Sequence, residues 1–337
     1  MTINYCRRPK PSPLSFVLIR HIMTVTSICL TVICVFIVHR SSSVTRVYSK
    51  LLILLLLGST LADIYIQWVY DPVFIFPRIC VYRRDPLLNF PFSARFGHSA
   101  MQSMIASGGP IYIALFIYRH QALVLPGSRF KFSTKTQISF VVALILPYTT
   151  IGISVYIGHI PRSNKLEYED NMADVWDPII LERMDCFAFN TMYLYWAYGC
   201  ILPTFTTVFL FAVARHTFAM LKKVSHISTR MQQKHRILTI SLIIQSLLPV
   251  IIVIIPFGAM MLFTTSIFYI SPGFYDSITI SPADYTILCI SFHATAHCIA
   301  LISTTPVFRR TLVQLVFRRE ERTVSVPTAS ASAFTVS

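Results

Sequence analysis

Long runs of apolar residues, separated by short polar segments, dominate this sequence. A helix needs about 20 mostly apolar residues to cross the hydrocarbon core of a bilayer, where an unpaired backbone group finds no partner. The pattern therefore predicts an all-α membrane protein, a bundle of seven transmembrane helices. The predicted spans are Ile22–Val38 (extended by Ser15–Leu18 past Arg20 and His21), Leu51–Tyr70, Phe96–Tyr118, Gln137–Ile157, Met192–Val213, Ile237–Phe263 and Tyr285–Val307.

Four proline residues fall inside spans four, five and six, where each removes a backbone hydrogen bond and favours a kink. They are Pro147, Pro203, Pro249 and Pro256. The last two lie in the sixth span, which is therefore the predicted hinge.

The polar pattern also divides the chain into three parts. Residues 1–14 are predicted to form an amino-terminal segment, 15–307 the bundle and 308–337 a tail. Apolar positions between Phe308 and Phe317, mixed with arginine, predict a short helix in the membrane interface. The Ser/Thr-rich stretch from Thr323 to Ser337 has no means of forming a core and is expected to be disordered.

Composition and charge agree with a membrane protein. Apolar residues make up 54% of the chain and charged residues 13%, against roughly 25% charged in soluble domains. Those values exclude an ordinary soluble enzyme and a disordered chain. The net charge is +15, but basic nucleic-acid modules lack such long uncharged runs, so no nucleic-acid partner is expected.

The distribution of basic residues predicts an orientation in the membrane. Loops after spans one, three, five and seven hold most of the 29 Lys and Arg residues, but only Glu320 and Glu321 among the 14 acids. Basic residues concentrate on the cytoplasmic side of membrane proteins, so the amino terminus is predicted outside. The third of these loops, Ala214–Arg236, is a candidate docking surface for a cytosolic partner.

Ionisable residues within spans are functional candidates, because a charge in lipid is costly. Asp63, in the outer half of span two, is the strongest. Polar residues at helical spacings of three and four form a stripe on span three and a pair on span seven. These residues are Arg95, His98, Gln102, His293 and His297.

Two interpretations of these polar groups remain open. They can converge on an outward-facing ligand cavity, with aromatic walls from Trp68 and Trp196. Alternatively, a water and a neighbouring helix satisfy Asp63, while Arg95 reaches the lipid headgroups. The outer loop Gly158–Thr191 is either a solvated segment or a lid over the cavity.

Two other classes of function also remain open. His293 and His297, four residues apart, have the spacing of a zinc-chelating pair. With Ser59, Asp63 and His98 they distantly resemble the metal site of seven-helix zinc hydrolases of the progestin and adipoQ receptor type. A transporter is the other alternative, although no internal repeat supports it. Because no catalytic motif is evident, neither an enzyme, a cofactor nor a bound metal is expected.

Motifs at the ends of spans three and seven point to a receptor family. Rhodopsin-like receptors carry Asp-Arg-Tyr and Asn-Pro-x-x-Tyr at these places, and this chain departs from both patterns. From Phe96 to Arg310, the ordered set resembles the nematode serpentine chemoreceptors of the Str-related group, class I (Sri) more than class H (Srh). The matching pieces are Met101-Gln102, Tyr118-Arg119-His120-Gln121, Gln245 with Pro249 and Pro256, Ser291-Phe292-His293 and Thr305-Pro306-Val307-Phe308-Arg309.

The resemblance implies a G-protein-coupled receptor for environmental chemicals, multi-pass in the plasma membrane and displayed on sensory cilia. The implied partners are a small-molecule ligand, a heterotrimeric G protein and the lipid bilayer. The expected ligand-binding residues are Asp63, Arg95, His98, Gln102, Trp196 and His293. The expected coupling residues are Arg119, His120, Lys222, Lys223 and Arg236.

Many seven-helix receptors link the segment before span three to the second outer loop by a disulfide. Cys80 with Cys186 is the corresponding pair here, although Cys80 lies well before the start of span three. Cys6 also lies outside the spans, and sequence alone does not set the connectivity.

Overall fold

The structure is a computed structural model of the chain, and its main feature is a bundle of seven long helices. It describes residues 13–41, 46–75, 80–84, 87–88, 90–124, 128–158, 184–186, 189–223, 229–256, 258–259 and 282–317. Cys6, most of the loop Gly158–Thr191 and the tail after residue 317 lie outside these residues. The helices are α1 (Leu14–Arg40), α2 (Arg46–Ile64), α3 (Ala94–Leu123), α4 (Thr134–Gly158), α5 (Phe189–Lys223), α6 (Thr229–Pro249), α7 (Pro282–Thr304) and α8 (Pro306–Phe317).

The predicted number of seven spans is confirmed, and in the described residues each helix extends past its apolar run on at least one side. Residues 260–263, the predicted end of span six, lie outside the described residues. All of α1–α7 include stretches long and apolar enough to cross a membrane. The longest, α5, has 35 residues, or about 52 Å at 1.5 Å per residue. The hydropathy of a sequence indicates only the apolar part of a helix, whereas the backbone hydrogen bonds of the helix continue into the polar residues on either side.

The core of the bundle lies where α1, α2, α3 and α7 meet. Leu52, Leu56, Ile113, Leu115 and Cys298 are almost completely buried there. Many equally apolar side chains on the outer faces are exposed in the bundle, Leu146 and Val208 among them. This exposure suits a protein whose solvent is lipid, since a helix in a bilayer is apolar on all sides.

Helices α3 and α4 pack closely through small residues. The Ser99 hydroxyl of α3 donates a hydrogen bond to the backbone oxygen of Gly152 at 2.6 Å. A Cβ at Gly152 would overlap Ser103 Oγ and lie 2.9 Å from the backbone oxygen of Ser99. Glycine is therefore required at this contact, as at many small-residue crossings in membranes.

A small antiparallel sheet at one end of the bundle departs from the all-α prediction. It contains β1 (Pro72–Ile75), β2 (Cys80–Arg83) and β3 (Met184–Cys186), with β2 central. Its register pairs Ile75 with Cys80, and Cys80 with Cys186. We call this end of the bundle the sheet end and the opposite one, which carries α8, the α8 end.

The sheet is tied to the helices that flank it. Cys80 and Cys186 are joined by a disulfide across β2 and β3. Helix α2 continues as a π-helical turn, Tyr65–Tyr70, and ends at Asp71, whose φ of 41° allows the chain to reverse into β1. A three-residue strand such as β3 is too short to be predicted from alternating hydrophobic and polar residues in the sequence.

Two helix ends follow from proline. Pro249 ends the regular part of α6, which continues as a π-helical turn, Val250–Ile254. A proline removes one backbone donor, and π turns are a common way to accommodate the resulting irregularity. Pro306 opens α8, where the absent donor is not needed, and this helix is the predicted short helix after span seven.

Candidate functional site

A cavity of about 240 Å³ lies between α2 and α7, covered on one side by Phe74 of β1. All helices from α2 to α7 contribute to its wall. Most of the wall is apolar, with side chains that include Met101, Ile105, Leu202 and Ile290. Its volume is somewhat below the roughly 300–1,000 Å³ of pockets for drug-sized ligands, so it suits a smaller molecule.

Asp63 supplies a carboxylate to this wall. The residue is 3% exposed, and it shares a buried stripe of α2 with Thr60 and Gln67, at helical spacings of three and four. Within the described residues neither carboxylate oxygen has a hydrogen-bond partner of good geometry. The neutral Ser27 hydroxyl of α1 lies beside it, and the charge of Arg20 also acts on it.

Gln102 and His98 form one polar unit on α3. Gln102 lines the cavity, and its Nε2 lies 3.3 Å from His98 Nε2. His98 is buried behind it, with the Phe74 ring packed edge-on at 5.6 Å between centroids. His98 therefore holds Gln102 and the sheet in place and does not itself line the cavity.

Arg95 does not share this position, which corrects the expectation that it joins the ligand-binding stripe. Its guanidinium lies 4.1 Å above the Tyr156 ring of α4, and its Nε donates to the Tyr156 backbone oxygen at 2.5 Å. In a helix of 3.6 residues per turn, three residues leave a rotation of about 60°. Arg95 consequently faces α4 when His98 faces the interior.

Trp196 lies in the first turns of α5, and its side chain is outside the part of the chain that the structure describes. The other half of the predicted aromatic wall, Trp68, donates from Nε1 to His21 Nδ1 at 3.1 Å. That bond joins the end of α2 to α1, and Trp68 is not part of the cavity wall.

His293 and His297 have different surroundings on α7. His293 lines the cavity, and its Nε2 has no hydrogen-bond partner among the described residues. His297 is fully buried, with Nδ1 3.0 Å from the Tyr112 hydroxyl. That hydroxyl donates to the Gln245 backbone oxygen, so His297 Nδ1 is the donor to Tyr112. His297 therefore joins α7 to α3 and α6.

The geometry gives no support to the zinc alternative. Among the described residues, no group of three or more His, Cys, Asp or Glu side chains is placed to hold a metal ion. The two histidine rings are 6.2 Å apart at their centroids.

An ionic network near the sheet end contains residues that the sequence patterns did not single out. Buried Arg20 of α1 donates to Gln67 Oε1 at 2.5 Å and to Asp71 Oδ1 at 2.6 Å. Arg84 lies 3.6 Å from Asp71 and 3.1 Å from Asp284 of α7. Arg20 interrupts the first apolar run, and an intramembrane arginine is itself a signal of a polar partner.

Comparison with known families decides the class of protein. The family model for the Sri type of serpentine seven-helix G-protein-coupled chemoreceptors matches residues 9–312. The chain belongs to the Sri family. That membership confirms the predicted class I assignment, and the match covers all seven helices and reaches into α8. Comparison with curated proteins finds no match.

The α8 end of this Sri-family chain carries the predicted Tyr118-Arg119-His120-Gln121 segment. Arg119 is buried, with its guanidinium carbon 3.8 Å above the Tyr48 ring of α2. His120 Nε2 lies 2.7 Å from His216 Nδ1 of α5. The Gln121 amide donates to the Phe130 backbone oxygen at 2.7 Å. The segment thus joins α3 to α2, to α5 and to the α3–α4 connection.

The remaining predicted coupling residues lie at the same end of the Sri-family bundle. Lys222 at the end of α5 and Arg236 in the first turns of α6 are both exposed. Lys223 ends α5, and its side chain is outside the described part of the chain. A hydrogen-bonded chain joins Gln245 and Ser241 of α6, at 2.9 Å, to Thr305, which directly follows α7, at 3.0 Å.

Proposed function

We propose that this Sri-family protein is a chemosensory receptor that binds a small environmental molecule in the cavity and signals through a cytosolic G protein. The observation that carries the proposal is the buried carboxylate of Asp63, which faces a mostly apolar cavity and has no hydrogen-bond partner of good geometry in the described part of the chain. Convergent polar groups in an apolar pocket are the usual sign of a binding site. Gln102 and His293 add two further polar groups to the same wall.

The proposed orientation puts the sheet end outside the cell. Basic residues at the α8 end, including Lys222, Arg236, Arg309 and Arg310, are exposed, and Lys and Arg concentrate in cytoplasmic segments. The disulfide between Cys80 and Cys186 is at the sheet end, where an oxidising compartment would preserve it. The plasma membrane, and specifically the sensory cilium, is the proposed location.

Signal transmission is proposed to pass through α6. Pro249, Val250, Val253 and Ile254 all line the cavity, so a bound ligand would touch the π-helical turn directly. Irregular turns of this kind are frequent at functional sites. A ligand that fits one arrangement of this turn better than another shifts the population by its difference in affinity. Pro256, two residues after the turn, would be a second point of adjustment.

The G-protein contact is proposed at the α8 end. Arg119 is held over Tyr48, and His120 contacts His216, so the end of α3 is linked to α2 and α5. A movement of α6 away from α3 would expose this region beside the basic residues Lys222, Lys223 and Arg236. Ligand and G protein would then stabilise the same arrangement, and each would raise the affinity for the other.

The test is a response assay in cells that express the chain with a G-protein reporter and a surface tag. A panel of small volatile compounds is applied to the wild type and to the variants Asp63→Asn and Gln102→Ala. We expect both variants to reach the cell surface and to lose sensitivity to active compounds by about tenfold or more, as expected when a buried polar contact is removed.

The matched control is Arg95→Gln, which changes a polar residue of the same helix that faces α4. It should respond like the wild type. Unchanged responses of Asp63→Asn and Gln102→Ala at normal surface levels would contradict the cavity as the binding site, whatever the response of Arg95→Gln.

A further inference from the structure

The wall of the cavity contains a carboxylate, but its described part contains no basic residue that pairs with it. Asp63 is the only Asp, Glu, Lys or Arg in the described part of its wall. Its neighbour Ser27 is neutral. A carboxylate this far from water is costly, and no basic residue in the described wall offsets that cost.

Arg20, whose charge acts on Asp63, makes its direct contacts with other groups. It donates to Gln67 Oε1 at 2.5 Å and pairs with Asp71 at 2.6 Å. Asp71 also lies close to Arg84, which reaches Asp284. Two arginines and two aspartates thus pair directly with one another, and Asp63 forms an ion pair with neither arginine, although the charge of Arg20 acts on it.

From this carboxylate without an ion-pair partner we propose that the cavity is built for a small, mostly apolar amine whose protonated nitrogen pairs with Asp63. The inference deepens the proposed function and rests on it. A charge-assisted hydrogen bond between ammonium and carboxylate is about twice as strong as a neutral one. A primary ammonium offers three donors, and His293 Nε2, which has no partner among the described residues, is a further acceptor in the wall when the ring proton is on Nδ1.

The apolar wall and the volume define the rest of the ligand. The cavity volume of about 240 Å³ lies below the range for drug-sized ligands, so the ligand is a small molecule. The wall beyond Asp63, Gln102 and His293 is dominated by side chains such as Met101, Ile105 and Leu202. A carboxylic acid of this size would be repelled by Asp63, and an alcohol would leave the carboxylate without an ion-pair partner.

Three probes of nearly equal size distinguish these chemistries: hexylamine, 1-hexanol and hexanoate. Binding is measured on the purified full chain in lipid nanodiscs, by calorimetry and by the ligand-induced shift in melting temperature. We expect hexylamine to bind the wild type and the other two to bind at least about thirtyfold more weakly. Asp63→Asn should weaken hexylamine by about thirtyfold or more, the lower range for removing one partner of a buried charged pair.

Two control variants separate the charge from the shape of the site. Asp185→Asn makes the same chemical change in β3, where the carboxylate accepts the backbone N–H of Arg95, and it should leave hexylamine binding unchanged. Gly58→Leu fills the cavity, because a Cβ at Gly58 meets no atom within 4 Å and the residue lines the wall. It should abolish binding of every probe.

Each outcome bears on the ligand class. The amine proposal is overturned if hexylamine binds Asp63→Asn as strongly as the wild type. It is also overturned if hexylamine does not bind the wild type. Stronger binding of 1-hexanol or hexanoate, lost in Gly58→Leu, also overturns the amine but leaves the cavity as the binding site. Failure of the proposed receptor function is seen separately, in the cell assay, where cavity variants would then have no effect.

Discussion

Replacement of glycine by alanine should destabilise the bundle at Gly152, in the contact between α3 and α4, but not at Gly58 or Gly108. At Gly152 an alanine Cβ would overlap Ser103 Oγ and approach the Ser99 backbone oxygen to 2.9 Å. The serine hydroxyl can rotate away, but the backbone oxygen belongs to α3 and moves only with its helix.

The expected magnitude follows from two opposing terms. Overpacking a tight contact costs about 1–3 kcal/mol, whereas replacing glycine by alanine inside a helix gains up to about 1 kcal/mol. Separation of the helices would also weaken the bond from Ser99 to Gly152, worth about 0.6 kcal/mol in a membrane. Gly152→Ala should therefore lower the free energy of unfolding by about 1–2 kcal/mol.

The assay is thermal unfolding of the purified chain in detergent, compared with Gly58→Ala and Gly108→Ala. At those two helical positions a Cβ meets no atom within 4 Å, so both variants should be at least as stable as the wild type. Ser103→Ala in the Gly152→Ala background should restore part of the lost stability, because it removes the overlap with Ser103 Oγ. The recovery should be incomplete, because the Ser99 backbone oxygen still lies close to the new Cβ. A Gly152→Ala protein as stable as the wild type would refute the close approach of these helices.

Two further predictions concern the sheet end. Cys80→Ser and Cys186→Ser should each lower the melting temperature, because the disulfide closes a loop with a sequence separation of 106 residues, worth up to about 5 kcal/mol by loop entropy. The melting temperature of the double variant should be no lower than that of either single variant, because all three lack the same disulfide. A lower melting temperature of the double variant would contradict a disulfide between Cys80 and Cys186. Arg20→Met should destabilise the chain by about 2 kcal/mol, below the range for a fully buried pair, because Arg84 still lies near Asp71. In the Arg20→Met background, Asp71→Asn should recover part of the lost free energy of unfolding, because it removes the carboxylate left without Arg20. An Arg20→Met protein as stable as the wild type would contradict the ionic network.

The sequence identified Asp63, Gln102 and His293 as polar groups within spans, and the structure brings all three to one cavity wall. These residues could be predicted from the sequence because a polar residue within a membrane span stands out among apolar residues. Arg95 was grouped with them on spacing alone, and its position at the start of α3 instead allows contact with Tyr156. Spacing gives the angle between side chains on one helix but not the neighbour that each side chain faces.

The Arg20 network shows a second limit of pattern reasoning. Its members, Arg20, Asp71, Arg84 and Asp284, come from four separate segments of the chain. An arginine within a span indicates a polar partner, but the sequence does not show which residue that partner is. Only the arrangement of α1, α2, β2 and α7 makes the charges partners.

The number of spanning helices was determined by the sequence alone, because a segment that crosses a bilayer must satisfy its backbone hydrogen bonds internally and is therefore helical. The order of short motifs determined the family for the same chain. The rotation of each helix about its axis, the position of the cavity and the pairing of β1, β2 and β3 were decided only by the tertiary structure. In lipid, side chains that face the bundle and side chains that face the bilayer are equally apolar, so an apolar run such as that of α4, with few buried residues, does not reveal its inner face.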